Sequence, residues 1–440
     1  MSENKRPDYI SVAADESLPA SQAGILALAH VLVMNVFVVA VLIAGALGLS
    51  DVEGTQLIQS SFLGAGIATL IQVLFFLRLP VAQGASFVPL GAVIGIYVGT
   101  GSFSAVMGAS LVASLAVFAL GLSGLYKHVI RALIPNLVSG IIIMVIGLAL
   151  MPTAFNSNIF ISNDQLSIGQ NIGLAGLTVL VLVATTLIGQ YVKSLNRPMQ
   201  YTSVIIALAV GTLAAQLMGG IDWSAVASAP WISMPLFAFI DYKLSFDPAS
   251  IATMLIIFMV VLAETTGTWY AIASVSGEAI DDNRINRGVI GEGISNFINS
   301  LVGATPTASF SSNAGIIAIT GVASRQVFVG VGILFIILAF FGKLSALINI
   351  IPTAVIGGIF AMVAFQIFMA GLNLVHPHLS DTRNQYVVGM SILVTLGVVL
   401  LPADIIAQTP NLVQYFLNSP IAMGALTAML ANQIFPQVKN

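Results

Sequence analysis

Apolar runs of about twenty residues follow one another along nearly the whole of this chain, and that recurrence limits its fold more than any other feature. One such run, coiled as a helix, crosses the roughly 30 Å hydrocarbon core of a bilayer. Hydrocarbon in turn admits only structures that satisfy their own backbone N–H and C=O groups. With 58% hydrophobic and 7% charged residues, the chain has too few charges to coat a soluble surface, and the sequence predicts an all-α polytopic membrane protein. The first twenty residues are polar and acidic, without the basic start of a cleaved signal, so the first span is expected to be retained. The chain has no cysteine, which excludes disulfides and thiolate metal centres. A net charge of −3 gives no sign of a nucleic-acid partner.

Fourteen transmembrane segments are predicted, at about 22–48, 56–77, 80–98, 102–124, 129–152, 171–194, 201–220, 248–275, 287–303, 306–321, 326–342, 350–372, 385–401 and 418–435. With both termini in the cytoplasm, Lys5, Arg6, Arg78, Lys127, Arg131, Lys193, Arg197, Arg284, Arg287, Arg325, Arg383 and Lys439 fall inside. Only Lys243 and Lys343, of the 14 basic residues, fall outside. Omitting the polar tenth segment would put Arg383 outside and weaken this bias. That segment is therefore expected to cross.

The two halves resemble each other. Ala85-Ser86-Phe87, after Pro80 in the third segment, recurs 223 residues later as Ala308-Ser309-Phe310, after Pro306 in the tenth. Ile134-Pro135 with Val138 and Gly140 recurs 217 residues later as Ile351-Pro352 with Val355 and Gly357, opening the twelfth. Seven spans per half is an odd number, so the second half enters with opposite orientation. A 7+7 inverted repeat follows, with segments three and ten facing each other near the midplane. Pro135 and Pro352 serve either as helix starts or as hinges.

The tenth segment is broken. Pro306 stops a helix, while Thr305, Thr307, Ser309 and Ser311 alternate as in a short strand. Ser312 and Asn313 are cap residues from which a helix resumes over Ala314 to Thr320, its N-terminus pointing toward mid-membrane. In the third segment, Gln83 to Phe87 is expected to be extended, with helix from about Pro89 at N1. Short strands in segments 3 and 10 would pair and satisfy each other's backbone. Such interruptions carry the ligand in transporters.

Of 17 acidic residues, Glu264 and Glu292 alone lie inside apolar spans. A charge there costs at least ~2.5–3.5 kcal/mol, so it marks a function or a protonated, hydrogen-bonded structural acid. Glu292, Ser295, Asn296 and Asn299 share one helix face, as interhelical glue or as coupling residues. Ala263, Gly267, Ala271 and Ser274 form a small-residue stripe, read as a packing surface.

Asn313-Ala314-Gly315 with Thr320-Gly321 resembles the signature of the nucleobase–ascorbate transporter family, which includes bacterial xanthine, urate and uracil permeases. Glu264-Thr265-Thr266-Gly267 resembles its eighth-span motif, Arg287 to Gly293 its ninth-span acid region, His30 its first-span histidine, and Ala85-Ser86-Phe87 its third-span strand. The resemblance implies a uracil-permease-like core and gate: a cytoplasmic tail (1–21), a core domain (22–125 and 248–345), a gate domain (126–220 and 346–436) and an extracytoplasmic loop (221–247). It also implies a proton-coupled nucleobase symporter working by alternating access in the bacterial inner membrane, with protons or Na+ as the coupling ion and a homodimer through the gates. No cofactor or metal is implied. Glu264 would pair with ring N–H groups, Ser312, Asn313, Gly315, Ala85 and Ser86 would line the site, and Phe87 or Phe310 would cover the ring unless they are plain core. Glu292 and His30 would join Glu264 in proton coupling, unless His30 is structural.

Two positions depart from the pattern. Ser312 replaces the family's Gln or Glu, and Thr268 stands where purine-type members often carry Asp. The Glu-Thr-Thr-Gly motif favours a purine, xanthine or urate, with uracil or a non-nucleobase ligand as alternatives. Anion exchangers and channels of the same architecture form a further alternative, although a carboxylate in the pocket would repel a small anion. Enzymatic readings lack support: His128, His376 and His378 lie in predicted loops without further nearby ligands, and no nucleophile triad or phosphate loop occurs.

Overall fold

The computed structural model describes residues 7–126, 135–162, 166–192, 196–235, 243–409 and 419–435, with positions 413, 414 and 417 between the last two stretches. Lys5, Arg6, Lys127, His128, Arg131, Ile134, Lys193 and Lys439 lie outside the described residues.

The first half contains α1 (Ala20–Met34), α2 (Val38–Leu47), α3 (Asp51–Leu70), strand β1 (Gln83–Ala85), α4 (Leu90–Thr100), α5 (Phe103–Ser123), α6 (Asn136–Ala154), α7 (Ile168–Tyr191) and α8 (Asn196–Leu217). The second half contains α9 (Pro248–Ser276), α10 (Asp282–Leu301), strand β2 (Thr307–Ser309), α11 (Ser312–Thr320), α12 (Arg325–Ala339), α13 (Gly342–Asn349), α14 (Thr353–Val375), α15 (Thr382–Val399) and α16 (Pro420–Ile434). Local sequence explains several boundaries. Ser50 and Glu53 form a capping box at the start of α3. Asp247 caps α9, with Pro248 as its first residue. Pro135 and Pro352 both occupy N-cap positions, the helix-start reading of the two.

Among the described residues, six helices are individually long and apolar enough to cross a membrane: Asp51–Phe75, Phe103–Ser123, Leu137–Ile159, Ile168–Tyr191, Pro248–Ser276 and Thr353–His378. A seventh span exists if α12 and α13, bent by 82°, count as one. Several remaining segments are shorter because they are broken, and the first is a break that composition did not predict. The expected helix 22–48 splits at Asn35, which adopts φ 48°, ψ 35° before α2 begins. Asn tolerates this left-handed conformation better than most residues, so no Gly or Pro was needed. Pro89 is the N-cap of α4 rather than its first residue, and Ser311 is the N-cap of α11, which places Ser312 and Asn313 inside its first turn.

At the centre of the fold, β1 and β2 pair antiparallel, with Gln83 opposite Ser309, Gly84 opposite Ala308 and Ala85 opposite Thr307. Ser86 N–H to Pro306 C=O and Phe310 N–H to Ala82 C=O, each 3.0 Å, extend the pairing at both ends. The backbone polarity of two broken segments is thus satisfied internally. Gly84 is required by close approach, since a Cβ there would lie 2.6 Å from the Phe310 ring and 2.9 Å from Val36. Around this crossing α3 packs on α12, α5 on α9 and α10, and α6 on α14.

Candidate functional site

Two carboxylates stand beside the strand pair, and each is held by a residue of the third segment. Glu264 on α9 is half-buried and accepts a 2.7 Å hydrogen bond from the Ser86 hydroxyl. Ser86 Oγ itself accepts from Val88 N–H at 3.1 Å, which aims its proton at Glu264. Glu292 on α10 is 1% exposed and accepts from Gln83 Nε2 at 2.7 Å and Thr265 Oγ1 at 3.1 Å. Gln83 and Ser86 are an odd number of residues apart in extended chain, so their side chains leave opposite faces. The strand segment therefore addresses both acids.

The Glu292 side is a dense polar knot. Ser309 Oγ accepts from Gln83 Nε2 (2.8 Å) and Trp269 Nε1 (2.7 Å), while its backbone N–H donates to Thr265 Oγ1 (2.9 Å). With both Ser309 lone pairs taken, its proton is free for Thr265, and the Thr265 proton for Glu292. Asn296 holds β2 like a peptide: its Oδ1 accepts from Thr307 N–H at 2.8 Å and its Nδ2 donates to Thr307 C=O at 3.3 Å. Asn299 Nδ2 donates to Thr307 Oγ1 at 2.9 Å. The α10 polar stripe thus binds strand to helix. Arg284 and Arg287, near Glu292 in sequence, are not its partners. Arg284 is engaged with Leu77, Arg78 and Ala279 carbonyls and Glu278, and Arg287 with the Phe75 carbonyl.

On the Glu264 side, α11 contributes three different kinds of residue. Ser312 Oγ is buried and has no hydrogen-bond partner among the described residues. Gly315 is exposed, and a Cβ on it would meet none of the described residues within 4 Å. Asn313 is completely buried, with Nδ2 donating to Phe310 C=O at 3.0 Å and Oδ1 2.7 Å from His30 Nδ1. Because the Asn313 amide is oriented by Phe310, its oxygen accepts, and His30 carries the proton on Nδ1. His30 also packs against the Phe328 ring at 4.5 Å. This pair joins α1 to α11. Phe87 stacks on Phe360 of α14, centroids 5.6 Å apart at 21°. Ala85 is buried within β1, and Phe310 is half-buried against Gly84.

The small-residue stripe on α9 is not the packing surface expected. Ala263 is buried, but Gly267, Ala271 and Ser274 are exposed, and a methyl group on Gly267 would meet none of the described residues within 4 Å. Gly315 and Ala318 of α11 and its N-cap Ser311 are exposed, at the spacing of one face. The residues that sequence reasoning missed are Gln83, Thr265, Trp269 and Ser309 as partners around Glu292. A glutamine inside a break of an apolar segment was the available signal.

Broken helices meeting at a strand pair, with acids on both sides of it, define a multi-pass membrane transporter rather than an enzyme. The chain belongs to the nucleobase–ascorbate transporter family: the model of this permease family matches residues 21–404. It is 30% identical to the uric acid permease PucJ of Bacillus subtilis over 93% of this chain and 92% of that one. It is 28% identical to the xanthine permease XanP of Escherichia coli K12 over 96% and 93%. In fold it resembles the transmembrane domain of the cyanobacterial bicarbonate transporter BicA (TM-score 0.57, 16% identity, 96% of this chain and 99% of that one). It likewise resembles the murine anion transporter Slc26a9 (TM-score 0.62, 14% identity, 97% and 70%).

Proposed function

We propose that this chain is a proton-coupled purine permease that moves xanthine or urate by alternating access, with both termini in the cytoplasm. The observation that carries the reading is Glu264, a half-buried carboxylate fixed by Ser86 on a helix that packs against α11, where the Ser312 hydroxyl has no partner among the described residues. Glu264 can accept from the ring N–H groups of an oxopurine, and Ser312 can donate to a ring carbonyl or accept from a further N–H. Phe87 supplies an aromatic face beside them. Sequence relatives named as xanthine and uric acid permeases support a purine over a pyrimidine.

Glu292 is the proposed proton carrier. Its partners Gln83 and Thr265 are donors that suit a carboxylate, while the buried amide oxygens of Gln83 and Gln72 have no partner among the described residues and suit an acid O–H. Fourteen segments in a 7+7 inverted repeat account for the packing. Exchanging the halves converts the α5–α10 contact into α12–α3 and leaves β1–β2 and α6–α14 unchanged. In this reading the core is 22–125 with 248–345 and the gate is 126–220 with 346–436. The Phe87–Phe360 stack then spans the surface along which they slide.

The test is uptake of labelled xanthine, urate, uracil and sulfate into vesicles containing the purified protein, under an inward proton gradient and separately under a sodium gradient. Xanthine or urate accumulation that collapses with a protonophore is expected. Accumulation of sulfate alone overturns the purine reading, and dependence on sodium alone overturns the proton reading.

A further inference from the structure

The segment before α1 does more than enter the membrane. Ser11 and Val12 N–H groups both donate to Gly321 C=O, at 2.7 and 3.1 Å, and Ser11 Oγ adds a third bond to it at 3.0 Å. Ala323 N–H returns to Val12 C=O and Arg325 N–H to Ala14 C=O, each 2.9 Å, making a short parallel bridge at Val12 and Val322. Leu18 N–H donates to Gln326 Oε1 at 2.8 Å, and Asp15 pairs with Arg325. Ile10 and Ala14 are buried beneath. Tyr9 OH reaches further and donates to Val275 C=O at 3.0 Å.

Two of the acceptors share a character. Val275 lies in the last turn of α9, and Gly321 is the C-cap of α11. Carbonyls at helix C-termini lack an intrahelical donor, and one peptide supplies donors to both. Gly321 is at φ +68°, and a Cβ there would collide with the Tyr9 carbonyl, so its left-handed cap and the tail fit only together. α9 carries Glu264 and α11 carries Ser312. Their exposed faces, Gly267, Ala271 and Ser274 on one and Ser311, Gly315 and Ala318 on the other, end at this tie.

We propose that residues 9–18 are a strap that fixes the separation of α9 and α11, with Tyr9 as a positioning residue that governs how readily ligand leaves the site. The claim about ligand exit rests on the transport reading above; the claim about helix separation does not. Because the chain has no cysteine, spin labels placed through S274C and A318C report the α9–α11 distance without further substitution. Tyr9→Phe and Ser11→Ala each remove one hydroxyl and are mild enough to insert normally. The label distance is expected to broaden toward longer values in both variants and most in the double variant. Dissociation of labelled xanthine from the purified protein is expected to quicken about three- to tenfold, the effect of losing one or two such bonds. KM should rise with little change in maximal rate. An unchanged distance distribution in the double variant overturns the strap. If the unsubstituted protein moves no purine, the transport reading fails while the distance result still decides the strap.

Discussion

Gln83 Nε2 lies 2.7 Å from Glu292 Oε1, joining a strand of the first half to a helix of the second across 209 residues of sequence. The same amide also donates to Ser309 at 2.8 Å, so a single side chain ties β1 to both β2 and α10. Removing it leaves Glu292 buried with fewer donors. Gln83→Leu is therefore expected to destabilise the protein by about 1–3 kcal/mol, the cost of an orphaned buried partner. Thermal unfolding in detergent measures this loss. The pH profile of uptake should move as well, since the acid would lose the donor that favours its charged form.

Gly84 and Phe310 form a second pair that couples the halves sterically. A methyl group at Gly84 would sit 2.6 Å from the Phe310 ring, and overpacking of this kind costs about 1–3 kcal/mol. Gly84→Ala alone should lower stability and transport together. Adding Phe310→Leu should recover part of the stability, the 2.9 Å approach to Val36 remaining. If the double variant is no better than Gly84→Ala alone, the contact with Phe310 is not the cause.

Much of this arrangement was legible in the sequence, and the exceptions share a physical reason. The break after Pro306 announced itself because proline and a Ser/Thr cluster are local signals, and Glu264 and Glu292 stood out because charge in hydrocarbon is costly. The break at Asn35 carried no such signal, since asparagine enters the left-handed region without a change in composition. The α9 stripe was misread because small residues serve equally to admit a helix and to leave space. Gln83, Trp269 and Ser309 became site residues only through partners 40 or more positions away, information that no local pattern holds.

Ser312 separates stability from recognition. Its hydroxyl has no partner among the described residues, so Ser312→Ala should leave thermal stability unchanged or slightly raised. If the hydroxyl meets the ligand, KM for xanthine should rise about threefold to tenfold, the worth of one neutral hydrogen bond. Ser312→Gln, which supplies a longer amide beside the open space at Gly315, should shift preference among purines in competition assays. Identical stability, KM and selectivity in both variants would place Ser312 outside the site.

Glu264 gives the most discriminating substitution, because glutamine preserves its local contact while removing its charge. In Glu264→Gln the amide oxygen can still accept from Ser86, which now holds the carboxylate at 2.7 Å, so insertion and folding should be intact. What glutamine cannot supply is a second acceptor oxygen or a charge for the ligand's N–H groups. Hydrogen bonds to charged groups contribute about 1.5–3 kcal/mol, so purine affinity should fall tenfold to a hundredfold. Proton-driven accumulation should disappear if the charge of Glu264 takes part in coupling. Binding by scintillation proximity and accumulation in vesicles measure the two effects separately. Lost accumulation with retained affinity would assign Glu264 to coupling alone, and full retention of both would remove it from the site.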